Sequence, residues 1–258
     1  MSEPVLLVDK TDGIATLTLN RPAQRNAMSL ELRSLLQDAV KDLKEDEDIG
    51  VVILTGAGKA FSAGMDLNEL ADPDFEAQPA SVKNPAVLLT SLHQPVIAAI
   101  NGLAVTGGLE VAVACDIIIA STEAQFADTH AQVGFVPSWG LSQRLSRIAG
   151  TQRAKEMSLT GNFISAQQAY EWGLVNHVVS PKELMSAAIS LAKDILSCVP
   201  QAMFMYKRMI DGGFNLPFAE ALEYELGMSK EYKGPSAEGI GARRRNVQSR
   251  GKEKSTKR

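Results

Sequence analysis

The sequence predicts an α/β protein with largely parallel, covered sheets and a helical C-terminal third. Two observations lead to this prediction. In the first half of the 258-residue chain, short apolar runs that suit buried strands alternate with stretches of helical periodicity. From about Thr151 onward, strand-like runs almost vanish apart from Leu174–Val179, and helical periodicity takes over. The sheet is therefore expected to precede a mostly helical region.

Four runs in the first half have the composition of strands. Ile14–Leu19 alternates between apolar and polar residues, is rich in β-branched side chains and ends in an Asn-Arg-Pro turn. The other three are continuously apolar, as expected for strands that are covered on both faces. They are residues 50–55, Pro95–Ile100 and Ile117–Ala120.

Helices are predicted from capping residues and apolar spacing. Ser29 is expected to cap a helix that has Glu31 in its first turn. One apolar face of this helix repeats at intervals of three and four residues, through Leu32, Leu35, Leu36, Ala39, Val40 and Leu43. Regular apolar positions also run from Pro181 to Gly212, and Pro181 and Pro217 suit the first turn of a helix.

Composition limits the functional classes. Hydrophobic residues make up 45% and charged residues 22%, a globular balance, and the net charge of −4 argues against broad nucleic-acid binding. The N-terminus lacks the pattern of a signal peptide, and no apolar run is long enough to suggest a membrane span. Cys115 and Cys198 are too few for a disulfide framework, so a reducing cytoplasm is expected.

The most informative segment is residues 101–140. Its Gly107-Gly108 pair leads into the apolar run Leu109–Cys115, which carries one carboxylate, Glu110. If this run is a helix, the N–H groups of its first turn have no intrahelical acceptor and can hold a developing oxyanion. Glu110 would then lie within one turn of that anion, where a general base or acid is useful.

A second glycine turn offers a second donor. The segment KAFSAGMDL contains the small-residue turn Ala63-Gly64, which lets the backbone approach a ligand, and the N–H of Met65 follows. Two converging N–H groups, from Met65 and Gly107, are what the enolate oxygen of a thioester needs.

Other motifs are absent. The sequence has no G-x-G-x-x-G after a strand, and its Gly56–Lys59 segment lacks the first glycine and the Ser/Thr of a phosphate-binding loop. Its three histidines are widely separated, and no Cys/His cluster has metal-ligand spacing. We therefore expect neither an organic cofactor nor a metal.

An ordered series of motifs resembles the crotonase family, also called the enoyl-CoA hydratase/isomerase family. The series runs from the first strand to about Val179, and the helical remainder also resembles the family's C-terminal region. In order, the motifs are Asn-Arg-Pro at 20–22, Asn-Ala-Met at 26–28, KAFSAGMDL, PVIAAINGLAVTGG, ACDIIIAS, QFAD, P-x-x-G and LTG-x-x-I-S-A-x-x-A-x-x-x-GLV.

The resemblance implies a spiral of ββα units with a helical C-terminal oligomerisation region, usually in trimers or dimers of trimers. We expect residues 1–195 to form the core and residues 196–258 the oligomerisation region, which ends in a basic tail. The substrate implied is an acyl-CoA whose thioester oxygen lies between the N–H groups of Met65 and Gly107. The implied CoA-binding residues are Gln24, Arg25, Asn26, Ala27, Ala63, Gly64, Asp66 and Leu67.

Hydratases of this family carry two glutamates. Glu110 corresponds to the first, which would activate the water that attacks the β-carbon of an enoyl thioester, but His130 occupies the second position. His130 either replaces that glutamate as an acid, base or water-orienting group, or is a structural residue. Asp128 would either orient the imidazole or accept loop N–H bonds, and the loop interpretation is favoured.

Trp139 and Ser138 occupy positions where the family usually has small residues. We expect Trp139 to narrow the acyl pocket, whereas Gln143 and Arg144 are expected to fix the following helix. The segment from Ala71 to Pro85 is expected to border the acyl group. The sequence thus predicts a 2-enoyl-CoA hydratase. An enoyl-CoA isomerase and a non-catalytic acyl-CoA-binding protein are the alternatives.

Overall fold

The computed structural model describes residues 3–72, 84–236, 239–241, 243–244 and 247–248. Most of the segment expected to border the acyl group, and the basic tail, lie outside the described residues. The chain divides into two compact units, Met1–Phe204 and Met205–Arg258. Among the described helices, none is long and apolar enough to cross a membrane.

The described residues contain ten strands in two sheets. They are β1 (Leu6–Thr11), β2 (Ile14–Leu19), β3 (Val51–Gly56), β4 (Ala60–Ser62), β5 (Val96–Ile100), β6 (Leu103–Val105), β7 (Ile117–Ser121), β8 (Gln125–Ala127), β9 (Ile164–Ser165) and β10 (His177–Val179). The larger sheet has the order β1-β2-β3-β5-β7-β10, and the smaller has the order β4-β6-β8-β9.

Eleven α-helices are described. They are α1 (Leu30–Glu45), α2 (Leu67–Leu70), α3 (Pro85–Thr90), α4 (Gly107–Ala112), α5 (His130–Val133), α6 (Leu141–Ala149), α7 (Thr151–Thr160), α8 (Ala166–Glu171), α9 (Leu184–Leu196), α10 (Pro200–Gly213) and α11 (Phe218–Glu231). As predicted, Ser29 caps α1, because its side chain accepts a hydrogen bond from the N–H of Leu32.

The order of strands and helices produces a repeating spiral. Strands β3, β5 and β7 of the larger sheet each lead directly into β4, β6 and β8 of the smaller sheet, and a short helix follows each pair. Strands β2, β3, β5, β7 and β10 pair in parallel, which confirms the predicted sheet. This repeat places α4 directly after β6 and α5 shortly after β8. The starts of these two helices occupy equivalent positions in successive units and therefore lie side by side.

Both faces of the larger sheet are covered. On one face, α1 joins the main core through the buried residues Leu32, Leu36, Val40 and Leu43. On the other face, Leu184, Ala188 and Ala192 of α9 pack on inward-facing residues of the strands. Because the central strands are covered on both faces, their sequences are continuous apolar runs.

Several element boundaries differ from the predictions. The apolar run after Gly108 forms a helix only from Gly107 to Ala112, and the strand predicted at 174–179 is limited to His177–Val179. The periodic region 181–212 forms two helices, because a new helix begins at Pro200. Pro181 lies in the turn before α9, and Pro217 is the N-cap of α11, so neither is in a first helical turn.

Candidate active site

Two glycine turns bring the loop before α2 against the start of α4. Gly64 has a φ of +90°, and a Cβ placed on it would lie 2.8 Å from the backbone nitrogen of Gly107. A Cβ on Gly108 would overlap the carbonyl oxygen of Ser62. Only glycine allows these backbones to approach so closely, and Gly64 also needs a conformation that other residues rarely adopt.

The backbone N–H groups of Met65 and Gly107 lie on either side of this contact. A Cβ on Gly107 would lie 3.4 Å from the nitrogen of Met65. Within the described part of the chain, neither N–H group donates a hydrogen bond to a protein acceptor. The structure thus brings together the two donors predicted from the sequence, and both remain available to a ligand.

Glu110 lies in the first turn of α4 and is only 2% exposed. Its Oε1 accepts hydrogen bonds from the N–H groups of Trp139, at 2.7 Å, and Leu141, at 3.2 Å. Burial raises the pKa of Glu110 above its ordinary value of 4.5, although these two N–H groups and the nearby His130 act in the opposite direction. The bonds fix one carboxylate oxygen and leave Oε2 for other contacts.

His130 is the first residue of α5, and its imidazole lies beside Glu110. Its Nε2 is 3.6 Å from Oε2 of Glu110. A hydrogen bond of 2.6 Å joins the hydroxyls of Thr106 and Thr129, which immediately precede α4 and α5. The starts of the two helices are therefore tied together, and Glu110 and His130 meet even though twenty residues separate them in the sequence.

Asp128 contacts the other side of the imidazole. Its Oδ1 lies 2.7 Å from Nδ1 of His130 and also accepts the backbone N–H of His130 at 3.2 Å. Burial acts to raise the pKa of Asp128, but hydrogen bonds from His130 and Ser158 outweigh it and hold the pKa below its ordinary value of 3.8. The sequence favours the loop contact alone, whereas the structure contains both contacts.

Trp139 contacts both Glu110 and the start of α4 at Gly107. Its backbone N–H donates a hydrogen bond to Glu110, and Cζ3 of its indole would lie 3.0 Å from a Cβ placed on Gly107. Its carbonyl oxygen accepts a hydrogen bond of 2.9 Å from Nη1 of Arg144. The contact from Arg144 to the loop is not predicted from the sequence, which indicates only that Arg144 fixes the following helix.

The segments predicted to bind CoA are joined to each other. The N–H of Met28 donates to the carbonyl oxygen of Gly64, and the N–H of Ala63 donates to that of Arg25. Gln24, Arg25 and Leu67 are exposed along this junction. The structure thus brings the predicted residues 24–27 beside residues 63–67.

Two of these predicted residues have their side chains engaged within the protein. The buried amide of Asn26 donates to the carbonyl oxygens of Ala57 and Ala60, at 2.9 and 2.7 Å. The carboxylate of Asp66 pairs with Arg21 at 2.8 Å and caps α2. The side chains of Asn26 and Asp66 therefore hold the protein's own loops together.

A separate cavity of about 470 Å³ lies at the β10 edge of the larger sheet. Tyr170, His177, Leu191 and Asp194 are among its lining residues, and none of the predicted site residues lines it. Among the described residues, no group of three or more His, Cys, Asp and Glu side chains suits a metal ion.

The spiral of ββα units, with a buried glutamate beside two glycine turns, defines a crotonase-type α/β protein. The sequence profile of the family described as enoyl-CoA hydratase/isomerase matches residues 9–246. The chain therefore belongs to the enoyl-CoA hydratase/isomerase family, which confirms the predicted family and fold class.

Individual relatives agree with this assignment. Over 241 residues, the chain is 40% identical to the probable enoyl-CoA hydratase 1, peroxisomal, of Arabidopsis thaliana, covering 90% of this chain and 91% of that protein. It resembles the crystal structure of an enoyl-CoA hydratase from Bacillus anthracis with a TM-score of 0.83 and 38% identity, covering 88% of this chain and 90% of that one. It also resembles a monofunctional enoyl-CoA isomerase from M. smegmatis, with a TM-score of 0.73 and 34% identity, covering 85% of this chain and 98% of that one.

Proposed function

We propose that this protein catalyses the reversible hydration of trans-2-enoyl-CoA to 3-hydroxyacyl-CoA. One observation carries the proposal: the buried carboxylate of Glu110 has a second proton-transferring group, His130, 3.6 Å away, next to two unused backbone donors. Relatives from several organisms are named enoyl-CoA hydratases, which supports the same reaction. The reaction needs no cofactor beyond the CoA of the substrate.

The N–H groups of Met65 and Gly107 would hold the thioester oxygen. Attack of water on the β-carbon moves negative charge onto this oxygen and forms an enolate. Donors fixed in the backbone stabilise that charge without reorganising, and loss of one such donor typically costs about 2.7–4 kcal/mol in the transition state. The close approach of the two glycine turns supports this role.

Glu110 would act as the base. Its Oε1 is held by two N–H groups, so Oε2 faces His130 and can accept a proton from water. The hydroxide equivalent adds to the β-carbon, and His130, which enters the cycle as the imidazolium, gives its Nε2 proton to the α-carbon. Glu110 then carries the proton taken from water, and transfer of this proton to His130 restores the starting state.

The substrate would extend from this centre in two directions. We assign the adenine and pantetheine to the junction of residues 24–27 and 63–67, where the exposed side chains and backbone groups lie. The acyl group would lie beside the indole of Trp139, which packs on Gly107. A bulky residue here limits the space next to the reacting carbons.

Isomerisation of the double bond is the second candidate. It needs one proton shuttle and no bound water. Hydratases of the family have glutamate at two positions, and in this chain only the first of them, Glu110, is a carboxylate. The resemblance to the M. smegmatis isomerase supports this alternative. The hydratase is favoured because His130 supplies the second acid/base group.

We also propose that the chain forms a homotrimer or a dimer of trimers in the cytoplasm. Apolar side chains of α10 and α11 are exposed, including Ile210 at 64% and Phe218 at 80%, and a second copy of the chain would cover them. Neither Cys115 nor Cys198 forms a disulfide, in agreement with a reducing compartment. Light scattering after gel filtration tests the assembly, and a monomer would contradict it.

The test of the function measures the loss of enoyl-thioester absorbance with trans-2-enoyl-CoAs of graded chain length. Glu110→Gln should abolish this loss while acyl-CoA binding persists. Glu123→Gln, which changes an exposed glutamate, is the matched control and should retain full activity. Tight binding without hydration by the unmodified protein would contradict the proposal. Assays with 3-enoyl-CoA would then separate an isomerase from a non-catalytic binder.

A further inference from the structure

The imidazole of His130 lies between two carboxylates. Oδ1 of Asp128 is 2.7 Å from Nδ1, and Oε2 of Glu110 is 3.6 Å from Nε2. Among the described residues, these are the ionisable groups that contact the ring, one from α4 and one from the segment before α5. Each ring nitrogen therefore has its own acidic partner, at different distances.

The shorter contact determines which nitrogen carries a proton. Asp128 is 2% exposed, and the hydrogen bonds from His130 and Ser158 favour its ionised form. An ionised carboxylate only accepts hydrogen bonds, so Nδ1 must be the donor in this contact. In the neutral imidazole, Nε2 is then unprotonated and faces Glu110.

A second contact limits the position of the ring. The same Oδ1 accepts the backbone N–H of His130 at 3.2 Å, so Asp128 is fixed to the start of α5 as well as to the side chain. Only 11% of the His130 side chain is exposed, and the hydroxyl bond between Thr106 and Thr129 fixes α5 relative to α4. The ring therefore has little freedom to turn away from Glu110.

We propose that Asp128 is a positioning residue of this site: it fixes the proton of His130 on Nδ1 and directs Nε2 towards Glu110. This arrangement allows a histidine to work at a position where related hydratases use a carboxylate. The inference rests on the proposed function of Glu110 and His130. In this role Asp128 acts through His130 and not through contact with the substrate.

Replacing Asp128 by asparagine tests the proposal. The amide can present an N–H group to Nδ1, which permits the opposite tautomer, and it removes a negative charge that stabilises the imidazolium. We expect Asp128→Asn to lower kcat by on the order of 10²-fold, within the range for acid–base groups, with a much smaller change in KM. The kcat–pH profile of this variant should also differ from that of the unmodified protein.

Two further variants separate positioning from folding. Asp128→Glu keeps the charge and should recover part of the activity and of the original kcat–pH profile. Asp42→Asn removes an exposed aspartate of α1 and should leave kcat and the pH profile unchanged. If Asp128→Asn lowers only the melting temperature, and kcat and its pH profile match the unmodified protein, Asp128 is structural and the proposal is wrong.

A spectroscopic measurement tests the tautomer without any assay of activity. The chain has only three histidines, so ¹⁵N NMR of the unmodified protein, with His130→Gln for assignment, can resolve this ring. We expect a protonated Nδ1 and an unprotonated Nε2 in the neutral form, and the reverse tautomer would overturn the proposal. Failure of the proposed hydration, with the expected tautomer present, would instead contradict only the function.

Discussion

Oε2 of Glu110 and Nε2 of His130 lie 3.6 Å apart in a site where the glutamate is 2% exposed. Other contacts fix each partner: the backbone N–H groups of Trp139 and Leu141 bind the glutamate, and Asp128 binds the histidine. A carboxylate and an imidazole held face to face can accept and donate a proton within one reaction cycle.

The stability of the protein should depend on the protonation of Glu110. Because its pKa is raised in the folded state, the stabilisation that the protonated form provides is present below the ordinary value of 4.5 and is lost as the pH rises through the raised pKa. Glu110→Gln is uncharged at every pH. We therefore expect the free energy of unfolding of this variant, relative to the unmodified protein, to increase as the pH rises above the ordinary value of 4.5 and through the raised pKa of Glu110.

Denaturant unfolding at several pH values measures this difference. Glu123→Gln, the exposed control, should show no comparable trend. A difference that is constant with pH, or that falls as the pH rises, would contradict the raised pKa of Glu110.

Gly64→Ala should damage the proposed oxyanion site. The new Cβ would lie 2.8 Å from the nitrogen of Gly107, and the φ of +90° disfavours alanine, so the two glycine turns must separate. We expect kcat to fall by on the order of 10²- to 10³-fold, as for the loss of one oxyanion donor. Steady-state kinetics with an enoyl-CoA measures this effect.

Gly150→Ala is the matched control. Gly150 has a similar φ of +87°, but a Cβ there would meet nothing within 4 Å. Gly150→Ala introduces similar backbone strain to Gly64→Ala but no clash. Its kcat should therefore stay within about 3-fold of that of the unmodified protein. Equal losses of kcat in the two variants would indicate that strain, rather than the oxyanion site, is responsible.

Arg144→Ala should reduce activity through the loop that holds Glu110. Arg144 donates to the carbonyl oxygen of Trp139, whose N–H in turn binds Glu110. Loss of a hydrogen bond of this kind costs about 1 kcal/mol, so we expect kcat to fall by roughly 5- to 10-fold, with KM less affected. Arg147→Ala on the same helix removes an exposed arginine and should change little. Identical kinetics for Arg144→Ala and the unmodified protein would exclude this supporting role.

Trp139→Ala should widen the range of acyl chains. The substitution removes the indole beside Gly107 but keeps the backbone N–H that binds Glu110. If the indole restricts the acyl pocket, the ratio of kcat/KM for a longer to a shorter enoyl-CoA should rise by on the order of tenfold, the equivalent of about two buried methylenes. Trp139→Phe should give an intermediate ratio. An unchanged ratio would show that the indole does not border the acyl group.

The sequence predicted the elements that are regular and buried. Strands β3, β5 and β7 are continuous apolar runs, and β2 and helix α1 have clear periodicity, because each is packed on the core. In contrast, β1 was not predicted, since Leu6 is its only buried residue and it lacks a continuous apolar face. It forms because it pairs with β2 in an antiparallel hairpin, an interaction that its own composition does not reveal.

The site was predictable where its residues occur within motifs. Glu110, Gly107 and Met65 follow glycine turns, and the family resemblance indicated the importance of position 130. The contact between Arg144 and Trp139, and the hydroxyl bond of Thr106, depend on the spatial arrangement of loops. Thr106 also has a φ of +55°, a conformation that no local sequence signal predicts for threonine.

The most direct test of the account compares Glu110→Gln, His130→Gln and the double variant in one hydration assay that detects 3-hydroxyacyl-CoA by NMR. If the two residues work as a pair, each single substitution should lower kcat by at least about 10²-fold, and the double variant should lose little more. Retention of nearly full hydration by His130→Gln, alongside an inactive Glu110→Gln, would contradict the claim that the glutamate and the histidine act together.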